Sequence, residues 1–158
     1  MDQSFDPNRP GDIEGEVTSV AIIDPVPVGN LVVDPDTQFE VAVEWRVLGL
    51  FTDLWLNSMS NDWLVQVYAE AVGPGPEKRI ASTTKSKNDF VSGPGPSERQ
   101  YSVVLQVPPK TLEEDFDVSD ASGVYKLVVT VFLDSAIAGP FDMAGFLEGP
   151  HFRVETAQ

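Results

Sequence analysis

Cysteine is absent from the 158 residues, and histidine occurs once, at His151. The first absence excludes disulfides, thiolate metal sites, iron–sulfur clusters and cysteine nucleophiles. The second leaves histidine chemistry to a single side chain. A Ser-His-Asp arrangement would need His151 beside an activated serine, and no Gly-x-Ser-x-Gly elbow occurs. Basic residues are scarce: ten Lys and Arg stand against 25 Asp and Glu, for a formal net charge of −15. So acidic a chain does not bind nucleic acid or anionic lipid through a general basic surface. It suits a cation binder or a partner of basic surfaces. No apolar run approaches the ~20 residues of a membrane-spanning helix. Met1-Asp2-Gln3-Ser4 has neither the basic nor the apolar part of a secretion signal, so the chain reads as unexported, which favours the cytoplasm and leaves the compartment open.

What is present is a β pattern. The apolar fraction of 42% supports a real core. The stretch from Gly123 to Asp134 reads as one long strand, with Tyr125, Leu127, Val129, Val131 and Leu133 on one face. Its other face, Lys126, Val128, Thr130, Phe132 and Asp134, is only half polar, which places it near the middle of a sheet. Further strands are expected at 16–23, 39–47, 63–71, 78–84, 101–107 and around Phe152 and Val154, with a short edge piece at 30–33, from alternation and intervening Pro- and Gly-rich turns. Gly73-Pro74-Gly75-Pro76 and Gly93-Pro94-Gly95-Pro96 are turns, not phosphate loops, because no Lys-Ser/Thr ending follows. No catalytic constellation emerges, and a non-catalytic protein is expected.

Residues 1–14 hold Asp2, Asp6, Asp12 and Glu14 with Pro7 and Pro10. They read as a flexible acidic arm, extended or disordered, preceding one domain over 15–158. Asp115, Asp117 and Asp120 offer hard oxygens within six residues, a candidate Ca²⁺ site that lacks the spacing of the twelve-residue calcium loop. No other cofactor is expected. Half of the basic residues, Lys78, Arg79, Lys85, Lys87 and Arg99, fall in one window. They read as protection of an edge strand, or as a basic face for an acidic surface of another copy.

Asp120-Ala121-Ser122-Gly123-Val124-Tyr125-Lys126-Leu127 resembles the approach to strand F of immunoglobulin-like domains, where an Asp and a small residue precede a Tyr and a Cys follows two positions later. The resemblance implies that Tyr125 is the corner tyrosine and Trp63 the strand C tryptophan. Leu127 and either Val41 or Val43 stand where the family has cysteines. It also implies that loops 49–62, 85–99 and 135–148 emerge at one end. The expected fold is therefore all-β, a single antiparallel immunoglobulin-like sandwich of about seven strands. Two of those loops are too apolar for idle connectors. Phe51, Leu54, Trp55, Met59, Phe141, Met143 and Phe146 form the expected partner-binding surface, for a protein partner or a homo-oligomer. The alternative is a calcium-dependent carbohydrate or surface-ligand module using the 115–120 loop.

Overall fold

The computed structural model describes residues 4–6, 8–24, 32–72, 77–112, 123–135 and 142–154. Nine strands and one short helix lie among them: β1 (Glu14–Asp24), β2 (Val32–Val33), β3 (Phe39–Leu48), α1 (Thr52–Asn57), β4 (Met59–Ala71), β5 (Glu77–Ser86), β6 (Val91–Ser92), β7 (Arg99–Val107), β8 (Val124–Ser135) and β9 (Met143–Val154). They form two sheets, in the orders β1-β3-β7-β6 and β2-β9-β8-β4-β5. All neighbours are antiparallel except the two-residue pairing of β2 with β9. The fold is all-β with two sheets facing across one core.

The long strand β8 lies between β4 and β9, the interior position that its two-sided apolarity requires. Tyr125, Leu127, Val129, Val131 and Leu133 are buried, and face the buried Val41, Val43, Trp45 and Val47 of β3. The polar strand β5 is the edge of its sheet, as expected. Two further strands, β2 and β6, are each two residues long; β2 falls in the short edge piece expected at 30–33, whereas β6 is too short to leave a periodic signal.

One expected loop is a strand. Residues 143–148 belong to β9, with Met143, Gly145 and Leu147 facing inward and Ala144, Phe146 and Glu148 outward. The alternation is hidden in the sequence because the central inward position is Gly145. The missing side chain is supplied from the N-terminal segment. A Cβ built on Gly15 or Gly145 would collide with the ring of Phe5, so both glycines are needed to admit it. Phe5 is buried and meets Trp63 edge-on, with centroids 5.8 Å apart. Its amide donates to Gly15 O at 2.8 Å, while Asp6 and Ala144 exchange backbone hydrogen bonds at 2.8 and 3.0 Å. Ser4–Asp6 thus bridges the two sheets, pairing with β1 on one side and β9 on the other. Burying a phenylalanine stabilises by roughly 1.5–3 kcal/mol.

Candidate functional site

Among the described residues, the two most exposed large apolar side chains, Leu50 and Leu54, stand at the end of the sandwich where β3 leads into β4. Gly49 turns the chain there with φ +128°, and a Cβ on it would strike the Asp12 backbone. Its amide donates to Pro96 O, and the next two amides, of Leu50 and Phe51, donate to Gly11 O and Asp12 O. The lead-in to α1 is thereby held on one side by the N-terminal segment and on the other by the 93–98 turn.

Six residues are too few to hold a helix by themselves. Helix α1 stands because its ends are occupied. The Thr52 hydroxyl donates to Gly49 O at 2.9 Å, and the Ser58 hydroxyl to Trp55 O at 2.7 Å. Lys87, itself buried, donates from Nζ to Leu56 O at 2.7 Å and Met59 O at 2.9 Å. An ammonium at a helix C-terminus is favoured by the exposed carbonyl dipoles there. The backbone carbonyl of Lys87 accepts in turn from the Tyr101 hydroxyl at 2.6 Å, and burial raises the Tyr101 pKa above its ordinary value. On the solvent side, Asp53 pairs with Arg99 at 2.7 Å, and the Arg99 guanidinium lies over the Phe90 ring.

This frame presents Leu50, Phe51 and Leu54 to solvent, 74, 48 and 71% exposed. Leu56 points the other way and is buried. Trp55 is partly buried against the core. Of the expected binding residues, the tip therefore gathers Phe51, Leu54 and the exposed part of Trp55, with Leu50 added. Met59 and Met143 are core residues, placed inward as the first residues of β4 and β9. Phe146 is half exposed, but on the outer face of β9, roughly 10 Å along the strand from its start at the tip. Phe141 lies outside the described residues, as do Asp115, Asp117 and Asp120. Among the described residues, no group of three or more His, Asp or Glu gathers to hold a metal.

Four of the five residues of the basic window are engaged within the chain, and Arg79 stands exposed on β5. Lys85 pairs with Asp89 at 2.9 Å, Arg99 with Asp53, and Lys78 donates to Thr111 O, while Lys87 is buried under α1. His151 stands exposed on β9. Among the described residues, no helix is long and apolar enough to cross a membrane.

No family model matches the chain, and no curated protein matches it in sequence. Among solved structures, a Bordetella pertussis protein described as ApaA aligns over 95% of this chain and 98% of its own, at 11% identity and a TM-score of 0.34. Similarity of that degree transfers neither fold nor function.

Proposed function

We propose that this protein is a non-catalytic binding module that docks an apolar protein surface through Leu50, Phe51 and Leu54, a second copy of the chain being the simplest such surface. The observation that carries the reading is the combination of exposure and rigidity. Leu54 stands in solvent on a helix tied at both ends, and Leu50 and Phe51 stand in solvent on the lead-in whose amides are bonded to Gly11 O and Asp12 O. Covering a large apolar side chain on association is worth about 1.5–3 kcal/mol. Preorganisation by Lys87 and Gly49 lowers the ordering cost that a flexible loop would incur.

The fold we propose is immunoglobulin-like. In support, β1-β3-β7-β6 and β9-β8-β4-β5 follow the chain order of the two sheets of such domains, with β8 as strand F. Trp63, Leu127, Val41 and Val43 are fully buried, as the strand C tryptophan and the residues at the cysteine positions would be. The functional reading is tested by Phe51→Ser and Leu54→Ser together, measuring association and thermal stability on one preparation. Lost association with an unchanged melting temperature supports it; unchanged association removes it.

A further inference from the structure

The outward face of the five-stranded sheet has the layout of an interface, with an apolar centre and a charged rim. Strand pairing places Leu64, Phe132 and Ala144 in one row, Gln66, Thr130 and Phe146 in the next, and Tyr68, Val128 and Glu148 in a third. Of these, Gln66, Tyr68, Thr130, Phe132, Ala144 and Phe146, together with Ser4 and Asp6, border a groove of about 530 Å³. The outer face of an antiparallel sheet is ordinarily polar. Here the outward face of the three central strands carries Leu64, Tyr68, Val128, Phe132 and Phe146 among its polar residues, and Phe146 stands half exposed.

The charges around this centre are mostly of one sign. Asp62 and Asp134 end the outward rows nearest the tip, both exposed, and exposed Asp6 lies beside Ala144. At the opposite end Glu70 and Glu148 share Lys126, at 3.7 and 3.2 Å, so its charge is already matched. Arg79, beside Tyr68 on β5, and Arg153, opposite Val124 on β9, are the further cations on this face among the described residues. Ten Lys and Arg stand against 25 Asp and Glu, so a second copy of the chain would bring more like charge than opposite charge to such a face. Arg46 is held by Glu16 and Glu98, Lys85 by Asp89 and Arg99 by Asp53, and Lys87 is buried; the exposed cations among the described residues are Arg9, Lys78, Arg79, Lys110 and Arg153.

We infer that this face docks a basic polypeptide segment of another protein, whose aliphatic or aromatic anchor enters the groove beside Phe146 while its Lys and Arg side chains lie over the Asp62, Asp134 and Asp6 rim. The net charge of −15 steers such a segment toward the molecule. The apolar centre then fixes where it settles. This surface is separate from the α1 tip and does not depend on it.

The test is fluorescence anisotropy of labelled synthetic peptides at low salt with the full chain. A lysine–leucine peptide should bind saturably, and better than a lysine–serine peptide of equal length and charge or a glutamate–leucine peptide. Phe146→Ser should weaken it about tenfold. Asp62→Asn with Asp134→Asn, at two exposed positions where folding is not at stake, should flatten the dependence on salt. Phe51→Ser with Leu54→Ser should bind as the unaltered protein does. Equal binding of the lysine–serine peptide would mean charge attraction alone and overturn the inference. So would equal binding of the glutamate–leucine peptide, full affinity in Phe146→Ser, or loss of binding in the tip variant.

Discussion

The ring of Phe5 occupies the space that a side chain at position 145 would fill, and Gly145 is the residue there. The contact joins the N-terminal segment to a strand more than a hundred residues later in the chain. Phe5→Ala is therefore expected to destabilise the fold by about 3–5 kcal/mol, the range for emptying a buried phenylalanine site. Gly145→Val should do comparable damage by expelling the ring. Denaturant titration checks both. An effect below about 0.5 kcal/mol, the usual size at a surface position, would mean that Ser4–Asp6 hangs free.

Lys87 holds α1 by donating to Leu56 O and Met59 O. Lys87→Met keeps the stem and removes the donors, leaving those two carbonyls without the ammonium. Leaving a buried polar group unmatched costs about 1–3 kcal/mol. Amide exchange across 52–58 should accelerate more than in β8. If exchange rises equally in both, the lysine serves global stability rather than the tip.

Arg99 and Asp53 make the ion pair on the solvent side of α1, with the Asp53 side chain 63% exposed. An exposed pair of this kind contributes about 0.2–1 kcal/mol. Asp53→Asn should shift the melt only within that range, and high salt should mask even that. A loss several times larger would show that the pair, and not Lys87, fixes the helix.

Burial raises the pKa of Tyr101 above its ordinary 10.0, so its neutral form is favoured more in the folded than in the unfolded chain. By linkage, its contribution is fully present below pH 10 and is lost as pH climbs through the raised value. Tyr101→Phe should be less stable at neutral pH, for want of the hydrogen bond to Lys87 O, yet decline less steeply above pH 10. Melting temperatures of both proteins across that range test this. Parallel curves would exclude Tyr101 as the titrating group.

Strands with uninterrupted alternation were legible in the sequence: β3, β4 and β8 place an apolar residue at every inward position over 39–47, 63–71 and 125–133. Strand β9 was not, because its inward pattern is completed at Gly145 by a ring from elsewhere in the chain. Phe5 gave little signal, standing alone between Ser4 and Asp6 in a stretch of prolines and acids. The tip was half legible. Phe51, Leu54 and Trp55 share helical spacing, whereas Met59 and Met143 fall just inside strands whose first inward positions they fill. Lys87 looked like one more surface cation. Its burial follows from the free carbonyls at the end of a helix that sequence spacing only outlined.

The central claim is that Leu50, Phe51 and Leu54 are a working surface and not a plug for the core. The most direct test is light scattering of the unaltered protein and of Phe51→Ser with Leu54→Ser over increasing concentration, with a thermal melt of each. The account predicts that the mean mass of the unaltered protein rises above the monomer as concentration increases. It predicts that the variant stays monomeric and keeps its stability to within about 1 kcal/mol. A variant that melts far earlier, or that associates as the unaltered protein does, would contradict it.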